Sequence, residues 1–200
     1  MIIVGLDLSL TSTGVARIDV GAGAPTVKLA TITSKAPTTR RGPKGEALPA
    51  SLDQRHTRLH NLRLDICLHA AAADLVIVEG PSYGSKTGHQ HDRSGLWWIV
   101  ADWLMQSEQN DGWGKTVVEV PPSCRMKYAT GKGNASKDAV MLAAASRYRD
   151  LVEVTGNDVA DALLIAAMGA RHLGLPIESS LPQTHLAAMD GVHWPALQPA

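Results

Sequence analysis

Four acidic residues stand where a carboxylate has consequences. Asp7 interrupts the apolar, β-branched run Ile2, Ile3, Val4 and Leu6, which suits a strand buried on both faces. Glu79 closes a second continuous apolar run, Leu75 to Val78, just before Gly80 and Pro81. Asp158 and Asp161 open the segment NDVADALLIAAMGARHL, and their i, i+3 spacing puts them on one face of a first helical turn. Each acid alone has an ordinary explanation. Asp7 can cap the Ser/Thr-rich turn that follows it, Glu79 can be a solvated strand end, and acids in a first turn complement the helix dipole. Gathered at one place, however, carboxylates repel, push one another's pKa upward and call for cations. Oxygen ligands select Mg²⁺ or Mn²⁺, and two such ions about 4 Å apart suit in-line displacement at phosphorus.

The elements that must position these residues follow from the pattern. Ile2 to Ala16 predicts strand, tight turn and antiparallel strand, the second strand running on toward Val20. Thr26 to Thr33 alternates as a third strand. Ser51 and Gln54 form a capping-box signature ahead of a helix from about Leu52 to Ala73. Further strands are predicted at 75–78 and 116–120, and further helices at 96–105, from Ser136 to Tyr148, and over 157–173. This order fits an α/β fold with a five-stranded mixed sheet flanked by helices. With the first and fourth strands as neighbours, Asp7 and Glu79 meet at one sheet end and the last helix brings Asp158 and Asp161 over them.

A second set of residues is basic. Arg125, Lys127, Lys132 and Lys137 surround the Gly-rich turn TGKGNAS, and Ser136 is placed to cap the helix that follows. The turn lacks the spacing of a nucleotide-binding P-loop. Lysines, backbone amides and a helix N-terminus suit a phosphodiester backbone, while a solvated basic loop is the plainer alternative. Lys35, Arg40, Arg41 and Lys44 lie in an aperiodic Pro/Gly stretch from Ser34 to Pro49, which reads as a mobile loop or a phosphate-touching arm. The helix holding Trp97, Trp98 and Trp103 is apolar around most of its circumference, suiting core packing or a subunit interface.

Bulk properties narrow the class without choosing within it. The 200 residues allow one domain, expected over 1–175, followed by a proline-interrupted, loosely ordered tail over 176–200. Lys+Arg and Asp+Glu both number 19, so only local clustering can point toward nucleic acid. Cys67 and Cys124 have no CxxC spacing, which argues against a zinc site or a disulfide framework and favours a reducing compartment. The N-terminus makes a poor signal peptide, and no apolar run is long enough to span a bilayer.

The hairpin GLDLSLTSTGVA, the strand LVIVEGPSYG, the segment KYATGKGNASKDAV and the helix GNDVADALLIAA together resemble the RuvC-type Holliday junction resolvases, especially their bacteriophage-like branch. The similarity runs from the N-terminus to about Leu173. It implies an RNase H-like fold, a Mg²⁺-dependent crossover junction endodeoxyribonuclease, a homodimer, a four-way DNA junction as substrate, and the cytoplasm of a bacterial or phage-infected cell. By matching motif, the family's metal-binding carboxylates fall on Asp7, Glu79, Asp158 and Asp161. A basic residue assisting at the scissile phosphate comes from the Lys127, Lys132 and Lys137 region. Tyr83 corresponds to an aromatic residue that helps open the junction centre, or simply packs.

Other classes remain at this stage. GLDLSLTSTG also resembles the first phosphate hairpin of actin- and sugar-kinase-type ATP-binding proteins, although a second hairpin and a second domain are lacking. A ribonuclease H or a broader branched-DNA nuclease shares the same metal chemistry. A non-catalytic DNA-binding module would have no reason to keep all four acids.

Overall fold

The computed structural model describes residues 1–81, 89–106 and 112–196. Strands β1 (Ile2–Asp7), β2 (Ser12–Asp19) and β3 (Thr26–Thr33) form an antiparallel meander, and β4 (Leu75–Glu79) and β5 (Thr116–Val120) extend it in parallel. The strand order is β3-β2-β1-β4-β5. Helix α1 (Leu52–Ala70) carries the chain across to β4, and α2 (Gln90–Met105) carries it on to β5. Helices α3 (Pro122–Thr130), α4 (Lys137–Tyr148) and α5 (Asn157–His172) follow.

Side-chain alternation divides the core into two layers. Val4, Leu6, Val76 and Val78 face one way, packing with Leu62 and Ile66 of α1 and Leu96, Val100 and Leu104 of α2. Ile3 and Ile77 face the other way, toward α5 and the residues of α3 and α4. Asp7 and Glu79 have the parity of Ile3 and Ile77, so both carboxylates are directed to the α5 side. Their register brings them together, because Leu6 pairs with Val78 and the two acids stand one step further along parallel neighbours.

Helix α5 lies directly on the sheet, with every residue from Val159 to Ala170 buried. Two glycines make this approach possible. A Cβ at Gly5 would come within 2.1 Å of the Ala162 carbonyl oxygen, and one at Gly14 within 2.0 Å of the Asp158 carbonyl oxygen. The absence of side chains at two strand positions thus sets the height of α5 and hence of its acids.

Three expectations are corrected. Residues 123–130, read as the start of a basic segment around a Gly-rich turn, belong to α3: Pro121 follows the end of β5 as the N-cap, and Pro122 takes the first helical position, where its fixed φ and missing N–H cost nothing. Helix α2 begins at Gln90 rather than Leu96, since polar residues fill its exposed first turns. The expected loose tail is docked from 176 to 196. Glu178 accepts hydrogen bonds from the Tyr128 hydroxyl at 2.6 Å, the Tyr148 hydroxyl at 2.7 Å and Arg171 Nη2 at 2.9 Å. A short helix α6 (Gln183–Leu186) follows, Ala188 and Val192 are buried, and Trp194 stacks on His172 at 4.7 Å. Side chains rather than regular backbone pairing hold the segment, which is why its prolines are tolerated. Among the described residues, no helix is long and apolar enough to cross a membrane.

Candidate active site

Asp7, Glu79 and Asp161 converge at the end of the sheet, each offering a carboxylate oxygen within 4.8 Å of the other two. Asp7 ends β1, Glu79 ends β4, and Asp161 projects from the buried first turns of α5. Burial drives the Asp7 carboxyl well above its ordinary pKa, and Glu79 and Asp161 add to the rise. Burial likewise raises Asp161 to about 7, where Arg125 and Lys137 pull downward and Glu79 and Asp158 push upward. Desolvated, mutually repelling carboxylates of this kind gain from a cation between them.

Arg125 supplies one cation. Its guanidinium is buried, donating from Nε at 3.0 Å and from Nη2 at 2.8 Å to Glu79 Oε1, and from Nη1 to Asp161 Oδ1. The sequence placed Arg125 among residues facing a phosphate backbone; helix α3 turns its side chain into the acidic centre. Its spacing from Lys127 on a helix was the available signal, hidden by reading the segment as a loop. Behind Glu79, Trp97 Nε1 donates to the Glu79 backbone carbonyl at 2.9 Å, fixing the strand end.

Asp158 stands beside the cluster. The Ser12 hydroxyl donates to its Oδ2, and its charge raises the pKa of Asp161. Lys137, at the first turn of α4, is exposed yet close enough to lower that pKa. Lys127 Nζ donates to the Ala187 carbonyl at 3.3 Å, and Lys132 is exposed at the turn where Gly131 takes a positive φ of 79°. Tyr83 lies outside the described residues.

The donor set suits a hard divalent cation. Three carboxylates contribute only oxygen, their geometry is fixed by two strands and a buried helix, and burial raises the pKa of Asp7 and Asp161, a cost that a bound cation would offset. An antiparallel meander extended by two parallel strands, helices on both faces and acids at the ends of β1 and β4 define an RNase H-like fold with an acidic centre.

Solved structures share this fold. Thermus thermophilus RuvC superposes with a TM-score of 0.56 at 20% identity, over 88% of this chain and 98% of that one. The same protein in complex with Holliday junction substrate gives 0.51 at 22% identity, over 83% and 90%. The yeast mitochondrial Holliday junction resolvase Ydc2 gives 0.51 at 12% identity, over 82% and 75%. No protein-family model matches the sequence, and no curated protein matches it either. The chain therefore has the RuvC-type resolvase fold at a sequence distance where fold is conserved and function must be argued from the site.

Proposed function

We propose that this protein is a metal-dependent endonuclease that resolves four-way DNA junctions by hydrolysing phosphodiesters in paired strands. The observation that carries the reading is the convergence of Asp7, Glu79 and Asp161 at one end of a resolvase-type sheet. These three would hold Mg²⁺ or Mn²⁺. Two ions in the reacting complex would activate water, polarise the phosphoryl group and offset charge on the departing oxygen. Asp158, held by Ser12, adds negative field at the open side of the centre. Lys137 is placed to meet a phosphate there, since it is exposed in the first turn of α4 and its charge lowers the pKa of Asp161. Lys132, at the Gly-rich turn, extends the basic edge along the DNA backbone. Attack opposite the 3′ oxygen leaves a 5′ phosphate and a 3′ hydroxyl.

The junction substrate further calls for two sites related by two-fold symmetry, and we place the dimer interface on α2. Trp97 is engaged with the Glu79 carbonyl and Trp103 lies under Arg63 at 4.3 Å, whereas Trp98 meets Trp97 edge-on at 5.0 Å and is still 66% exposed. Incubation of the purified protein with labelled four-way junction, linear duplex and RNA/DNA hybrid, with and without Mg²⁺, tests the whole reading. Metal-dependent paired nicks confined to the junction are expected. Preference for the hybrid would convert the assignment to a ribonuclease H, and no metal-dependent cleavage of any substrate would overturn it.

A further inference from the structure

The proposed metal reading leaves one side chain unexplained. Arginine is costly to bury, yet Arg125 is only 7% exposed and spends three donors on two of the three clustered acids. Both oxygens it occupies, Glu79 Oε1 and Asp161 Oδ1, belong to carboxylates of the cluster that would hold metal. Its fork is planar and always charged, and it approaches from α3, whose start is set by Pro122 after β5. It is also built in: Arg125 N bonds to the Pro121 carbonyl at 3.2 Å, and the flanking Tyr128 and Ala129 are buried in the core.

Charge balance makes the consequence definite. Ionised Asp7, Glu79 and Asp161 carry three negative charges, and Arg125 cancels one, leaving the charge of a single divalent ion. Asp158, on Ser12, and Lys137 stand beside that set and act on Asp161 in opposite directions, so together they leave the count unchanged. A second divalent ion in the DNA-free protein would have to share Glu79 and Asp161 with a fixed guanidinium, with no matching negative charge to hold it. A DNA phosphate brings that charge.

We propose that Arg125 is a built-in counter-cation of the acidic centre, competing with divalent metal for Glu79 and Asp161, so that the DNA-free protein holds one ion and takes a second only together with a phosphate. This rests on the metal-site reading and deepens it. It assigns Arg125 a positioning and charge-balancing role distinct from contact with the DNA backbone.

The test counts ions without cleavage. Mn²⁺ is titrated into the full-length, DNA-free protein and followed by electron paramagnetic resonance and calorimetry, for the wild type, Arg125→Gln and Arg125→Lys. Melting temperatures are recorded in chelator and in Mg²⁺. The wild type should bind one ion. Arg125→Gln should bind a second, or bind the first at least about tenfold more tightly, since a unit charge a few ångström from a divalent ion is worth that much even at a high effective dielectric. Its melting temperature should fall in chelator and recover with Mg²⁺ by more than the wild type gains. Arg125→Lys, which keeps the charge, should stay near the wild-type stoichiometry. Folding of Arg125→Gln only when metal is present would support the proposal. Two ions bound by the DNA-free wild type would overturn it whatever the variants do, as would identical stoichiometry and affinity in wild type and Arg125→Gln. Absence of Mn²⁺ binding in every form would instead overturn the metal-site reading on which it rests.

Discussion

The Ser12 hydroxyl donates to Asp158 Oδ2, joining the start of β2 to the first turn of α5 across 146 positions of sequence. The bond separates the two acids of that turn. Asp161 faces Asp7 and Glu79, whereas Asp158 is turned to the hairpin. We predict that Asp7→Asn, Glu79→Gln and Asp161→Asn each reduce junction cleavage in Mg²⁺ by at least about a thousandfold, equivalent to roughly 4 kcal/mol of transition-state stabilisation, while junction binding changes little. Asp158→Asn, which can keep an acceptor for Ser12, should lose less. Single-turnover rates and gel-shift affinities on the purified variants check this; an unimpaired Asp161→Asn would refute the site.

Gly5→Ala should be among the most damaging small substitutions in the chain. Its Cβ would meet the Ala162 carbonyl oxygen at 2.1 Å and the Ala166 amide nitrogen at 2.9 Å, and both are backbone atoms of a buried helix that cannot swing aside. A loss of about 3 kcal/mol is expected, lowering Tm by roughly 10 °C for a chain of this size. Thermal melts measure it. Because the clash lifts α5 from the sheet, metal affinity should fall with stability; a fully stable Gly5→Ala would show that α5 is not seated as described.

How far the chain could be read in advance depended on what kind of signal each residue carried. Asp7 and Glu79 were legible because an acid that ends a buried apolar strand breaks a strong pattern, and Asp161 because α5 repeats cleanly with helical period. The partnership of Arg125 with Glu79 was not legible. It depends on α3, whose opening prolines carry the same sequence signal as a strand stop. Glu178 was equally hidden, since a buried acid held by two tyrosines and an arginine from three helices leaves no local periodicity. Long-range polar pairing fixed the parts that hydrophobic pattern alone missed.

Metal binding should depend on pH with a sign set by Asp161. Burial raises its carboxyl from 3.8 to about 7 in the folded protein, so between these values the folded chain holds a proton that the unfolded chain has released. In chelator, this group's contribution therefore favours the folded state at low pH and is lost as pH rises from about 4 through 7. Divalent metal competes with that proton. Apparent Mg²⁺ affinity should consequently rise with pH up to about 7, and the Mg²⁺-induced gain in Tm should be larger at pH 8 than at pH 5.5. Melts in chelator and in Mg²⁺ across this range check the sign; a metal-induced gain that shrinks as pH rises would contradict it.

Lys127, Lys132 and Lys137 are separable by salt. Lys132 and Lys137 are exposed, while Lys127 is half-buried with its Nζ on the Ala187 carbonyl. Neutralising all three should flatten the log–log salt dependence of junction binding by at most about 2.7, with roughly 0.9 from each phosphate contact. Lys127→Gln alone should change the slope least. Equal slopes for the triple variant and the wild type would show that these lysines do not track the backbone.

Assembly gives the remaining prediction. A four-way junction has approximate two-fold symmetry and needs cuts in two strands, while one acidic centre cuts one, so a symmetric pair of chains is the economical solution. On α2, Trp98 and Met105 are 66% and 61% exposed, and with Ala101, Asp102 and Gln106 they line an open depression of about 390 Å³. An exposed tryptophan beside an exposed methionine on a helix face has the composition of an interface centre, where truncating an aromatic anchor costs about 2 kcal/mol or more. Trp98→Asp should therefore raise the dimer dissociation constant at least about thirtyfold with little change in Tm measured at low protein concentration, because Trp98 contributes little to the core of its own chain. Light scattering across concentrations reads the first effect. Time courses on a junction labelled in two strands read the second: paired, near-simultaneous nicks by the wild type should become independent in Trp98→Asp. A wild type that is monomeric at every concentration and nicks strands independently would remove the dimer and leave a single-site nuclease acting on branched DNA.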